Sequence, residues 1–199
     1  MSMRPARGIS LLELLISMTI GLLLLLLVSG LLVSLLGEQS RERRQAQLGA
    51  MMDASLSLIA MDLRRAGFWN GSGAEEDNPY RELFIERDGS CLLYGYDNPT
   101  TPSAAPERRY FAFRLEGQRI QRRSSDKAGW SCSASSGWDD LSKPGIGIGV
   151  VDALRFSPEA GGDAIGIAVS ARAANGTEEE KLDIHTSVTL RNHPKVAAR

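Results

Sequence analysis

Residues 7–36 read R-G-I-S-L-L-E-L-L-I-S-M-T-I-G-L-L-L-L-L-L-V-S-G-L-L-V-S-L-L, and no other stretch restricts the fold so tightly. From Leu14 to Leu36 there are 23 residues without a formal charge. That exceeds the roughly 18–20 apolar residues a helix needs to cross a hydrocarbon layer. A lone strand would leave its backbone groups unpaired in lipid, so a helix is the spanning form. Glu13 is the one carboxylate near the start of the run, and a charge there is costly until it finds a partner. Arg4 and Arg7 precede the run, and no small-residue cleavage site follows it. The candidate processing point therefore lies before the apolar residues, unlike that of a secretory signal peptide, and processing leaves the helix on the mature chain.

The helix is expected to continue beyond the apolar run. Residues 39–66 contain no proline and are rich in Arg, Gln, Ala, Leu and Met, which are good helix formers. Leu48, Met52, Ser55/Leu56, Ile59, Leu63 and Ala66 recur every three or four positions, marking one helical face. Arg44, Gln47, Asp53, Ser57 and Arg64 lie opposite. Gly67 is placed to cap the end, with Arg64 and Arg65 suited to the last turn. A coiled-coil stalk is the rival account, but the β-rich sequence that follows favours a docked helix.

Downstream, the pattern shifts to period two. Residues 70–80 read as a loop, rich in Gly and Asn, with Glu75, Glu76 and Asp77 together. These acids lack the ordered ligand spacing of a calcium loop, and no metal is expected. Strands are expected at 81–85, 91–96, 110–116 and 118–123, with Phe111, Phe113 and Leu115 on one face as core. Residues 124–145 read as a long Ser/Gly-rich loop holding Trp130, Cys132 and Trp138. Three further strands are expected, within 146–156, at 165–172 and at 181–192, and 193–199 reads as a polar tail with little to order it. The fold class is α+β: a long N-terminal helix, half membrane-embedded and half amphipathic, packed on an antiparallel β-sheet domain.

Several function classes are excluded. Net charge is −1, and the basic residues are interleaved with acidic ones, so the field that nucleic acid binding requires is missing. His185 and His193 are distant from both cysteines and form no zinc site with them. No Gly-x-Ser-x-Gly, phosphate loop or metal motif occurs, and Glu178, Glu179 and Glu180 fit a solvated turn. Neither an enzymatic activity nor a cofactor is expected.

R-G-I-S-L-L-E-L-L-I resembles the class III signal of type IV prepilins and type II secretion pseudopilins. The resemblance implies cleavage by a membrane-embedded prepilin peptidase between Gly8 and Ile9, and N-methylation of Ile9. The family usually has Phe where this chain has Ile9. A glycine after a Pro5-containing leader suits such a cut, because it resists helix formation at the scissile bond. Glu13 corresponds to the family's glutamate at the fifth mature position. It would neutralise the α-ammonium of a neighbouring subunit, since both charges are costly in that setting. M-D-L-R-R-A-G-F, C-L-L-Y-G-Y-D and V-D-A-L-R-F with a terminal V-T-L-R-N resemble PilW-type minor pilins.

The resemblance implies a leader at 1–8, an assembly half of the helix at 9–36, an amphipathic half at 37–67, and an exported domain at 68–199. It also implies as partners the prepilin peptidase, other minor and major pilins, the inner-membrane assembly platform and inner-membrane lipid. The charge pattern alone leaves topology ambiguous, with Arg4 and Arg7 on one side and Arg41, Arg43 and Arg44 on the other. The family keeps the N-terminus cytoplasmic. In an oxidising periplasm Cys91 and Cys132 are expected to form a disulfide, two buried thiols being the alternative. A bridge in mid-domain departs from the major-pilin pattern and points to a minor component. A type II secretion pseudopilin, and an adhesin-like module using the Trp130–Trp138 loop, are the other readings.

Overall fold

The computed structural model describes residues 10–71, 73–97, 109–127, 131–142, 149–173 and 181–198. Gly8, Ile9, Trp130 and Glu178–180 fall outside them. Two compact units are present, Met1–Arg43 and Arg44–Arg199.

Helix α1 (Leu11–Leu63) is a single uninterrupted α-helix. In its first part every large apolar side chain from Leu11 to Leu36 is exposed. Ser17, Thr19 and Ser34 turn their hydroxyls back onto the carbonyls of Glu13, Ile16 and Leu31, so these polar side chains are satisfied within the helix. Later in the helix, Leu48, Met52, Ser55, Leu56, Ile59, Asp62 and Leu63 are buried. Each apolar position of the expected face is buried; Asp62 is the addition.

The second unit carries two sheets. The larger has strand order β5-β4-β3-β2-β1-β9, made of β1 (Glu82–Glu86), β2 (Cys91–Gly95), β3 (Tyr110–Glu116), β4 (Arg119–Ser125), β5 (Trp138–Asp140) and β9 (Lys195–Ala198). The smaller has order β6-β7-β8, from β6 (Val150–Pro158), β7 (Ala164–Arg172) and β8 (Lys181–Thr189). Every pairing is antiparallel except β9 with β1, which is parallel. The fold is α+β, a long helix with antiparallel-rich sheets.

Alternation along the strands decides which side chains meet the helix. Leu92, Tyr94, Phe111 and Phe113 join Leu48, Met52, Leu56, Ile59 and Leu63 in one buried cluster, with Ile165, Ile167 and Val188 of the smaller sheet. Cys91, Leu93, Ala112 and Cys132 form a second buried cluster with Phe84 and Trp138 against it. Because β2 contributes to both clusters, all five of its residues are buried. That is why C-L-L-Y-G reads as a continuous run rather than an alternating one.

Two expectations fail. The 193–199 tail contains β9, whose Lys195–Ala198 register against Glu82–Ile85, with Pro194 buried. The 124–145 loop contains β5, which pairs with Gln121–Arg123. Both strands are only three or four residues long. Segments that short carry no readable period, and their partners lie far away in sequence or across a loop.

Candidate functional site

Glu13 lies in the first turn of α1, where the helix dipole favours a negative charge. It is exposed and forms no ion pair among the described residues. Gly8 and Ile9 lie outside the described residues, so the geometry of the expected cleavage point is not part of this site.

The end of α1 carries a connected polar cluster of the second unit. Asp62 is at 9% exposure on the inward face. Its Oδ2 accepts hydrogen bonds from Arg122 Nε at 3.0 Å, Arg122 Nη2 at 2.8 Å and the Tyr94 hydroxyl at 3.0 Å. Its Oδ1 accepts from the Tyr96 hydroxyl at 3.5 Å. The Arg122 guanidinium also lies over Phe111, 5.2 Å from the ring centroid, and Tyr96 stacks on Phe111 at 4.5 Å. A carboxylate is tolerated at such a position only when paired and hydrogen-bonded, and this one is both.

The cluster shifts the ionisation of Tyr94, Tyr96 and Arg122. Burial drives the Tyr94 hydroxyl well above its ordinary value, and the Asp62 carboxylate adds to the effect. Tyr96 is raised by the same two causes. For Arg122 burial works against the charge, but Asp62 and the tyrosines outweigh it and the guanidinium is raised.

The backbone around this cluster is tied just as closely. Past Leu63 the chain tightens into i→i+3 bonds, Arg65 N to Asp62 O and Ala66 N to Leu63 O, a common way to finish a helix. The carbonyls of Arg65 and Ala66 then accept from Asn192 Nδ2 at 3.2 and 3.0 Å. Gly67 has φ +81° as a capping glycine should, and a Cβ there would meet Pro194 Cβ at 3.1 Å. Its N–H donates to Gly95 O, while Asp97 N–H donates to Phe68 O. Gly95 lies beneath Tyr80, whose Cδ1 would be 2.7 Å from an added Cβ. Thus D-L-R-R-A-G-F, Y-G-Y-D and L-R-N, far apart in sequence, converge on one joint between helix and sheet.

Cys91 and Cys132 are joined by a disulfide, as expected. The bridge holds residues 131–138 on the face of the larger sheet that carries Leu93 and Ala112. Arg114 reinforces it from β3. Its Nη1 donates to Cys132 O at 2.8 Å and Ala134 O at 3.3 Å, and its Nε donates to Gln121 Oε1. The Trp138 ring lies on that guanidinium at 4.0 Å, with its indole N–H donated to Ala134 O. Burial lowers the Arg114 pKa, partly offset by Glu116.

The other sequence candidates do not come together. His185 is exposed on β8, and His193 pairs with Asp163, Nδ1 to Oδ1 2.9 Å. Glu75–Asp77 form a short 3-10 turn in which Asp77 Oδ2 accepts from Ala74 N–H. Among the described residues no three His, Cys, Asp or Glu side chains are placed to hold a metal. Sequence reasoning assigned no role to Asp62, Arg122, Arg114 or Asn192. Only Asp62 left a signal, as an acid on the apolar face of α1.

No curated protein and no solved structure matches the chain. Two family models do. The prokaryotic N-terminal methylation motif matches residues 3–29, over the leader and the start of the apolar run. The model described as prepilin peptidase-dependent protein B matches residues 41–199, and so takes in Asp62, Tyr94, Arg122, the disulfide and Asn192. With a pilin-type N-terminal signal on an apolar helix and a matched domain covering most of the chain, the protein belongs to the prepilin peptidase-dependent protein B family.

Proposed function

We propose that this chain is a minor pilin of the PilW type, acting in the assembly or initiation of a type IV pilus or at its tip. The carrying observation is the methylation motif at 3–29 joined in one chain to the family match at 41–199. Prepilin peptidase cuts between Gly8 and Ile9, Ile9 is N-methylated, and residues 9–36 remain as the inner-membrane and assembly segment. Residues 37–67 carry the domain at 68–199 on the periplasmic side, the N-terminus being cytoplasmic. The Cys91–Cys132 bridge supports that placement, since disulfides persist in oxidising compartments. Glu13, exposed and without an ion pair among the described residues, awaits the α-ammonium of another pilin subunit. Other pilins and the assembly platform are its working partners, and its role is structural rather than catalytic.

Deleting the gene is expected to abolish surface pili and twitching motility while leaving protein secretion intact. Loss of secretion with normal pili would transfer the assignment to the type II secretion pseudopilins. A Glu13→Gln chain is expected to be cleaved normally but to enter filaments poorly; normal incorporation refutes the charge-pairing role. For the adhesin-like alternative, the Trp138 ring is already engaged by Arg114. Removing residues 124–138 with piliation preserved and attachment reduced would restore that reading.

A further inference from the structure

Strand β8 is the outer strand of the three-stranded sheet and pairs with β7 on one side only. Among the described residues its other edge forms no backbone hydrogen bond with another element. The remaining edges are protected differently. Strands β5 and β9 are three and four residues long. Strand β6 has a register shift between Val151 and Ala153, donates Val151 N–H to Gln118 O, and is approached by Gly89, where a Cβ would meet Phe156 O at 2.8 Å. Short length, bulges and covering segments are the usual means of blunting an edge. The nine residues of β8, K-L-D-I-H-T-S-V-T, contain no proline and no register shift, and no hydrogen bond from another element covers their outer edge among the described residues.

Beside that edge lies a groove of about 440 Å³, between β8 and the outer side of α1. Ile184 and Thr186 line it from the strand, and Asp53, Ser57, Ala60 and Arg64 from the helix. The middle of the helical wall is small. Its ends carry opposite charges eleven residues apart, about 16 Å along the axis. Neither Asp53 nor Arg64 has an ion pair among the described residues. An open row of backbone donors and acceptors, with a shallow wall for alternate side chains, is the geometry recognised by strand addition.

We propose that the β8 edge and its groove receive an extended segment of a partner polypeptide, added antiparallel to β8. Alternate side chains of that segment face Ser57 and Ala60. An acidic residue meets Arg64, and a basic residue four or six positions later meets Asp53. The order follows from direction. Just past β8, Asn192 caps the end of α1, so β8 runs toward the Arg64 end and an antiparallel partner runs away from it. The spacing follows from about 16 Å divided by roughly 3.3 Å per strand residue, with an even offset needed to keep both side chains on one face. A second copy does not supply this pattern from its outer strands. Strand β9 (Lys195–Ala198) contains no acid, β5 (Trp138–Asp140) contains no base, in β6 (Val150–Pro158) Asp152 and Arg155 stand at the odd offset of three, and in β8 Lys181 precedes Asp183 on the opposite face. The outer strands of a second copy are therefore not the occupant, and the proposal assigns it to a different chain. The proposal goes beyond the pilin reading and stands on the geometry of the second unit alone.

The test is selection of a phage-displayed library of random twelve-residue peptides on the full-length chain in detergent micelles. The Asp53→Lys/Arg64→Glu variant serves as the counter-target. Recovered peptides are expected to carry an acid followed by a base at offset four or six. A synthetic copy is expected to slow amide exchange along β8, and to lose at least about tenfold in affinity on the charge-reversed variant, the equivalent of one charge-assisted contact. Reversing the peptide's two charges is expected to restore it. Ser57→Trp, which fills the groove, is expected to block binding; if its melting temperature falls, Ala60→Gln gives the same readout. The proposal is overturned by no enrichment over the counter-target, by protection elsewhere than β8, or by binding indifferent to both groove variants. Cross-linking of Thr186→Cys chains to one another through this edge would assign it to a second copy and overturn it too.

Discussion

Asp62→Ala is the most searching single change in the second unit. It removes the acceptor shared by Arg122 and Tyr94 at 2.8–3.0 Å and leaves a guanidinium and two hydroxyls facing apolar rings. Breaking a fully buried pair by deleting one member costs about 3–5 kcal/mol. Here the Arg122 side chain is 29% exposed and that of Asp62 13%, so water recovers part of the loss and about 2–4 kcal/mol is expected. At roughly 2–4 °C per kcal/mol for a domain of this size, the melting temperature falls by about 5–15 °C. The assay is urea and thermal unfolding of the full chain in detergent, followed by near-ultraviolet circular dichroism, which reports the stacked tyrosines. A cycle with Arg122→Ala is expected to return a coupling of about 1.5–3 kcal/mol. Replacing both partners together by apolar residues is expected to cost much less than either deletion. A loss below about 0.5 kcal/mol, or strictly additive single changes, would refute the view that this pair fastens helix to sheet.

Four further outcomes follow from the same geometry. Reducing the Cys91–Cys132 bridge, or replacing both cysteines with serine, is expected to destabilise the second unit by about 4 kcal/mol at a loop separation of 41 residues; an unchanged urea midpoint contradicts it. Arg114→Met keeps the stem but removes donors to Cys132 O, Ala134 O and Gln121, so amide exchange across 131–138 should accelerate while the α1 end is unaffected. Asn192→Ala removes the side-chain cap on α1 and is expected to cost about 1 kcal/mol, with faster exchange in the adjoining 60–67 segment. Finally, Tyr94 and Tyr96 ionise above the ordinary tyrosine value of 10.0 when folded. Their contribution is fully present below pH 10 and is lost as pH rises through the folded values. Ultraviolet tyrosinate titration should show three late-ionising tyrosines, Tyr80 being raised by its own burial, and Asp62→Asn should bring down Tyr94 and Tyr96 but not Tyr80.

The extent of this fold that can be read from sequence depends on how local each signal is. The apolar run, the buried face from Leu48 to Ala66 and the strands expected at 165–172 and 181–192 are periodic over many residues, and the structure has a helix or strand at each, though α1 ends at Leu63 and β8 at Thr189. Strands β5 and β9 are not, because three or four residues show no period and pair through distant partners. The N-terminal signal is written in consecutive residues and is legible by itself. The end of α1 is not: Asp62, Tyr94, Arg122 and Asn192 come from four separate elements or turns. The sequence alone determined that an apolar helix leads into an amphipathic one and a disulfide-capable β domain. Only the tertiary structure decided that the short motifs meet at one joint, and that the outer edge of β8 is unpaired among the described residues. The reason is physical. Helix and strand periods arise from neighbours along the chain, whereas an ion pair, a cap or an open edge depends on which segments pack side by side.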